Sequence, residues 1–259
     1  MAKTALITGA SSGIGAELAR LHAANGDNLV LVARRIDKLE ELKAELNNVQ
    51  VNCISMDLAV ENAGQKLFDE VAKLNIEIDY LINNAGLGGQ GYYHERSWKA
   101  ENNMMQLNMI TLAQLCHLFL PIMIKRNSGR ILNIASSAGL IPGGPLQSTY
   151  FATKAFVVSL TNGIAGELID SNVTITALCP GATETEFEKT AGLEDTDLFS
   201  GKIFSAKAVA LDGFNAMMSG KRQKKTALGF MNSVNFKLMP FIPDGVILGM
   251  IKKMQEKKS

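Results

Sequence analysis

The chain has 259 residues, 47% of them hydrophobic, enough apolar material for one large α/β core and no sign of an interdomain linker. A net charge of +1 and a pI near 7.7 leave no basic surplus to attract nucleic acid, so no nucleic-acid partner is expected. Cys53, Cys116, Cys179, His22, His94 and His117 fall without metal-ligand spacing, so no metal is expected, and the cysteines read as reduced thiols in apolar surroundings of a cytoplasmic protein. Met1-Ala2-Lys3 runs straight into an apolar segment, and no signal peptide is expected.

The first element is Thr4-Ala5-Leu6-Ile7-Thr8, an uncharged strand followed at once by Gly9-Ala10-Ser11-Ser12-Gly13-Ile14-Gly15 and then by a helical pattern from Ala16 to Leu21. A strand, a glycine-rich turn and a helix N-terminus make a phosphate cradle. Glycine lets the backbone approach a pyrophosphate, and the free N–H groups and helix dipole favour the anion. The second strand, Asn28 to Ala33, ends where a dinucleotide-binding unit would carry an acid for the adenosine ribose. Here Ala33 is followed by Arg34 and Arg35, with no carboxylate before Asp37. Two guanidiniums suit a ribose 2′-phosphate that an acid would repel, so the expected cofactor is NADP(H) rather than NAD.

Val49 to Met56 reads as a third strand, ending at Asp57-Leu58, where a side chain could reach an adenine ring. Ile78 to Ile82 leads into the polar, small-residue turn Asn83-Asn84-Ala85-Gly86. A long helical stretch from Trp98 to Lys125 carries Asn108. Its most apolar part, Leu112 to Ile124, is short of a membrane span, contains Gln114, His117 and Pro121, and reads as packed in the core or against a second subunit. Arg130 to Ala135 leads to Ser136-Ser137-Ala138-Gly139, and Val173 to Leu178 to Cys179-Pro180-Gly181. This alternation argues a doubly wound parallel sheet of about seven strands with helices on both faces. Ligands in such sheets lie beyond the carboxyl ends of the strands, where the glycine turn, Arg34, Asp57, Asn83, Ser136 and Pro180-Gly181 all fall.

Tyr150 and Lys154 are four residues apart, which on a helix puts them on one face, one turn apart. A phenol with an unperturbed pKa of about 10 is a poor acid or base at neutral pH, and a nearby cation favours its ionised form. The pair reads as a general acid/base for proton transfer to or from an oxygen.

Past Glu186 the pattern weakens. Residues 187–205 read as a mobile lid over the cleft, and Ser205 as the N-cap of a helix through Met218. Lys221-Arg222-Gln223-Lys224-Lys225 reads as a solvated turn and Thr226 to Phe230 as a final short strand. Residues 231–259 form an extension that closes with a helix on which Val246, Ile247, Met250, Ile251 and Met254 share a face. That face suits packing on the parent domain or a neighbouring subunit. A membrane surface or lipid-like substrate, with lysines 252, 253, 257 and 258 toward head groups, is the second reading.

The glycine turn, Asn83-Asn84-Ala85-Gly86, Asn108, Ser136, Tyr150-x-x-x-Lys154 and Pro180-Gly181-x-Thr183-x-Thr185 arrive in the order and at the spacings of a known family. From residue 3 to about 187 the chain resembles the short-chain dehydrogenase/reductases of the compact, single-domain, Rossmann-like type. The resemblance implies an NADP-dependent oxidoreductase that interconverts a carbonyl and a secondary alcohol of a small molecule. Tyr150 would be the general acid in reduction and the base in oxidation. Lys154 would hold the nicotinamide ribose hydroxyls and favour the tyrosinate, and Ser136 would bind the substrate oxygen. Asn108 would kink its helix and hold a water linking Lys154 to solvent. Thr183 and Thr185 would contact the carboxamide and pyrophosphate, Ile14 the nicotinamide side, and Asp57 beside Leu58 the adenine. The turn Asn83-Asn84-Ala85-Gly86 would line the adenosine ribose, and Pro180-Gly181 would border the cofactor. Of the adjacent serines, the family spacing to Gly139 selects Ser136 over Ser137. Relatives commonly pair through the helix carrying Asn108 and the one after Tyr150, which implies a homodimer or homotetramer. A catalytically silent NADP-binding regulator is the alternative, against which the complete proton-transfer set argues. Substrate identity and direction stay open, although NADP favours reduction.

Overall fold

A computed structural model describes residues 2–199, 203–225 and 241–257. Seven strands form one parallel sheet: β1 (Thr4–Thr8), β2 (Asn28–Ala33), β3 (Val51–Ser55), β4 (Tyr80–Asn83), β5 (Gly129–Ile134), β6 (Val173–Cys179) and, from the far end of the chain, Gln223–Lys225. Their order is β3-β2-β1-β4-β5-β6 with Gln223–Lys225 outermost, so the winding reverses between β1 and β4. Leu6 pairs with Val30 on one side and Leu81 on the other. Central strands of such a sheet are covered on both faces, which is why β1 and β4 are buried at every position and read as uncharged, largely apolar runs.

Two cores result, one on each face. Against the first pack α3 (Ala63–Lys73), α5 (Leu112–Lys125) and α6 (Ser148–Glu167), with Leu67, Phe119 and Val157 in the core. Against the second pack α1 (Gly13–Ala24), α2 (Ile36–Glu45) and α8 (Ala206–Met218), with Leu18, Leu39 and Met217. Each of these side chains contributes roughly 1.5–3 kcal/mol by burial. The reversal between β1 and β4 opens a crevice at the carboxyl edge, the place where this class of sheet holds ligands.

The structure departs from the sequence reading in several places. Trp98 to Lys125 is the long helical stretch expected, but it passes through a π-helical turn: α4 (Trp98–Met105), Gln106–Thr111, then α5. At 28 residues, with a mean hydropathy of 1.7 in its most apolar window, it is long and apolar enough to cross a membrane by length and composition. Its inner side, including Leu107, Leu115 and Phe119, belongs to the core, which accounts for much of that apolarity. The basic run is not wholly a turn, since Gln223–Lys225 pairs in parallel with β6 (Ala177 opposite Gln223). The strand expected from Thr226 to Phe230 lies outside the described residues.

The C-terminal helix, α9 (Asp244–Gln255), does not present its apolar residues as one face. Ile247 and Gln255 are buried with Ile251 partly covered between them, whereas Val246 and Met250 are 54% and 53% exposed. Residues four apart face the domain. Gln90 Nε2 donates to the Gln255 carbonyl at 3.1 Å, Thr196 bridges to Lys257, and the Lys252 ammonium sits 5.9 Å from the centre of the Tyr92 ring. The described part of the extension, α9, therefore contacts its own domain and leaves Val246 and Met250 exposed.

Candidate active site

A cavity of about 660 Å³ occupies the carboxyl edge of the sheet. At its floor, Gly9 and Gly13 take φ of +67° and +55°, and a Cβ on Gly15 would stand 2.3 Å from the Gly9 carbonyl oxygen. Ser12 caps α1 in an extended conformation without a side-chain bond, and the first turn carries no acid. Its N–H groups are left for an anion. Thr8 ties this turn to the next: its hydroxyl oxygen accepts from the N–H of Asn84 and Ala85 at 3.0 and 3.1 Å. Asn84 Nδ2 in turn donates to the carbonyls of Thr8 and Gly9 at 2.9 and 3.1 Å.

Of the residues selected as sites from the sequence, all but Gly15, Asn83 and Asn108 line this cavity. Gly15 lies beneath the turn. Asn83, expected beside the ribose, instead turns inward: its Nδ2 donates to Asn133 Oδ1 at 2.9 Å and to Cys116 Sγ at 3.4 Å. Asn84, Ala85 and Gly86 face the cleft in its place. Cys116 thus sits in a buried polar cluster rather than apolar surroundings, and burial pushes its thiol up to about 12.

At the β2 end of the cleft, Arg34 and Arg35 are both exposed, and Asp57 accepts from the Ala59 N–H at 2.9 Å beside buried Leu58. Arg35 is not free. Its two terminal nitrogens bond the Glu186 carboxylate at 2.7 and 3.2 Å, and one also donates to Ser11 Oγ at 3.2 Å. Hydrogen bonding to Arg35 holds the Glu186 carboxyl below the usual range and raises the guanidinium. An acid absent from the local sequence therefore arrives from 151 residues away.

Tyr150 and Lys154 stand one turn apart on α6. The Lys154 ammonium is buried, donates to the Ile134 carbonyl at 2.8 Å and lies 5.7 Å from the centre of the Tyr150 ring. Ser136, just past β5, accepts from the Ala138 N–H at 3.1 Å and stands close enough to Tyr150 to favour its ionised form. Ser137 donates its backbone N–H to the Pro180 carbonyl at 2.8 Å and also lines the cleft.

The electrostatics of the chain alone run against the expected tuning. Burial raises the Tyr150 phenol to about 12, with Ser136 pulling weakly the other way. Burial likewise lowers Lys154 to about 8, so it stays mostly protonated at neutral pH. Desolvation opposes charge on both groups. The ammonium, committed to a carbonyl, does not depress the phenol here.

Asn108 sits in the π-helical turn, a feature common at functional sites. Its Nδ2 donates to the Leu87 carbonyl at 2.8 Å and to Thr153 Oγ1 at 3.1 Å, and its Oδ1 accepts from the Leu87 N–H at 2.9 Å. It braces α6 and the loop after β4 from behind the cleft. Beyond Gly181, Thr183 Oγ1 donates to the Gly181 carbonyl at 2.9 Å, and a methyl of Thr185 packs over Gly13.

Sequence reasoning missed Gln147, Phe187, Leu193, Met250 and Ile251, which line the substrate end of the cleft. Phe187 opens the short helix α7 (Phe187–Thr190), and with Met250 it lies in segments whose local pattern carries no site signal.

A family model for short chain dehydrogenase matches residues 3–195. An oxidoreductase of Staphylococcus saprophyticus is 36% identical over 200 residues, covering 76% of this chain and 79% of that one. A short-chain dehydrogenase from Sphingobium yanoikuyae, solved in complex with NADPH, is 28% identical with a TM-score of 0.82 and covers 99% of this chain and 98% of its own. A short-chain dehydrogenase/reductase from Burkholderia phymatum, solved in complex with NAD, is 25% identical with a TM-score of 0.81, covering 100% and 98%. On these matches, with the same sheet and the same crevice, the chain belongs to the short-chain dehydrogenase family, a family of oxidoreductases.

Proposed function

We propose that the protein is an NADP(H)-dependent oxidoreductase that interconverts a carbonyl and a secondary alcohol, with Tyr150 as general acid/base. The observation that carries this reading is the meeting of Ser136, Tyr150 and Lys154 in the same cleft as the open N-terminus of α1. The residues suit a dinucleotide: the glycine turn packs so closely on Ala85, Asn84 and Thr185 that only glycine fits there, and the first helical turn offers N–H groups without an acid. The bound cofactor would supply the hydride; the chain supplies position and the proton. Ser136 would orient the substrate oxygen and stabilise charge developing on it. Tyr150, its phenol protonated at neutral pH, would donate to that oxygen in reduction. Lys154 would hold the ribose hydroxyls and offset the negative charge left on the phenol.

The test is consumption of NADPH, followed by absorbance, with a panel of ketones and aldehydes. Ser136→Ala should lower kcat about 100- to 1000-fold, the usual cost of losing one donor to a developing oxyanion. Ser137→Ala should stay within about threefold, because its hydroxyl is not the one that meets Tyr150. Equal losses would contradict the assignment.

NADP is preferred over NAD in this reading because Arg34 and Arg35 flank the end of β2. An exposed ion pair such as Arg35–Glu186 is worth only about 0–1 kcal/mol, so a 2′-phosphate can take Arg35 from the carboxylate. Arg35→Ala should reduce the preference of kcat/KM for NADPH over NADH about tenfold or more, from a charge-assisted contact of about 1.5–3 kcal/mol. Glu186→Gln, which removes the competing carboxylate, should tighten NADPH binding and leave NADH nearly unchanged. Indifference of both cofactors to both substitutions would sink the 2′-phosphate role of Arg35.

A further inference from the structure

Phe187 is the aromatic residue of the lid that turns into the cleft beside Tyr150. The two ring centres are 5.4 Å apart at an interplanar angle of 44°. On another side Phe187 meets Gly88 so closely that a Cβ added there would stand 2.4 Å from Phe187 Cζ and 3.0 Å from the Ala191 methyl. Its position is fixed by the backbone as well. The Phe187 N–H donates to Thr185 Oγ1 at 3.2 Å, and its carbonyl accepts from the Ala191 N–H at 2.9 Å. The residue before it, Glu186, is the one held by Arg35. A ring anchored from several sides therefore fills the space next to the phenol.

The rest of this end of the cleft is different in character. Ile141, Leu193, Leu198, Met250 and Ile251 line it, all apolar and two of them on α9. Methionine there is unbranched and adapts to the shape of what it contacts. When a carbonyl oxygen bonds Tyr150 and Ser136, its two substituents must diverge from one carbon. One runs toward the Phe187 ring and the other into the apolar space.

The geometry points to Phe187 as the residue that limits one substituent of the reacting carbonyl. The substrate class is then a methyl ketone whose other substituent is a larger apolar group. This inference rests on the reading of Tyr150 as the group that binds the substrate oxygen. It goes further by assigning the size filter to one side chain.

Methyl pentyl ketone and dipropyl ketone are isomers with the same apolar content and differ in how it is divided around the carbonyl. With NADPH, the wild-type chain should favour methyl pentyl ketone by about tenfold or more in kcat/KM, the scale at which a rigid pocket discriminates methylenes. Phe187→Ala should bring the two within about twofold by raising the rate with dipropyl ketone, and Phe187→Leu should fall between. A wild-type ratio near one, or a ratio that Phe187→Ala leaves unchanged, overturns the proposal. Calorimetric binding of both ketones to Tyr150→Phe protein in the presence of NADPH reads the same preference without turnover. A preference in binding with no NADPH consumed by the wild type would sink the reductase reading while supporting the size filter. Equal affinities would overturn the filter itself.

Discussion

Tyr150→Phe should lower kcat for carbonyl reduction by about 100- to 10,000-fold, the range associated with losing a positioned general acid. Binding of NADPH, measured by fluorescence titration, should change by less than about threefold, because the ring and the helix that carries it remain. Removing the hydroxyl takes away a proton donor that burial keeps protonated well above neutral pH. It takes away little else, since the neighbouring Ser136 Oγ keeps the Ala138 N–H. A variant with more than about a tenth of wild-type turnover would mean that the proton comes from elsewhere.

The second large effect is expected at Lys154. Its ammonium is buried, so its pKa falls to about 8, and the folded protein holds it charged below that pH and loses the charge as pH rises through it. The profile of kcat/KM reports groups of the free enzyme. For reduction it should therefore decline above about pH 8, where Lys154 ceases to offset negative charge on the phenol. Lys154→Met should abolish that decline and lower kcat/KM by about 100-fold or more. It should also weaken NADPH binding, which Tyr150→Phe should not, because in the proposed reading Lys154 holds the ribose. A variant that keeps the alkaline decline would assign that ionisation to another group.

Local spacing carried most of the site. The turn from Gly9 to Gly15 and the Tyr150–Lys154 pair report geometry set within a few residues, so their arrangement could be read directly from the chain. Ser136 needed one further constraint, the distance to Gly139, and in the structure both Ser136 and Ser137 line the cleft, with Ser136 the one that acts on the Tyr150 phenol. The sheet was legible because buried parallel strands are mostly apolar, as the uncharged β1 and β4 are.

What escaped depends on distance along the chain or on burial. Glu186 meets Arg35 from 151 residues away, and no local pattern announces the pair. Phe187 sits in a polar stretch and acquires its role only when Gly88 and Tyr150 are brought to it. The direction of the Tyr150 shift was misjudged because a charged neighbour can be read from spacing, whereas desolvation cannot. Asn83 and Asn84 differ by one residue and face opposite ways, one into a buried cluster with Asn133 and the other onto the glycine turn. On α9 the apolar stripe was visible, but which part of it is covered depends on the contacts of Ile247 and Gln255 with the domain.

The most direct measurement is a crystal structure of the protein with NADP and an unreactive analogue of a ketone substrate. The Tyr150 hydroxyl and Ser136 Oγ should both lie within about 2.6–3.2 Å of the analogue's oxygen, with the nicotinamide ring against the carbonyl carbon and Lys154 on its ribose. An analogue oxygen bound elsewhere, with the phenol turned out of the cleft, would contradict the account.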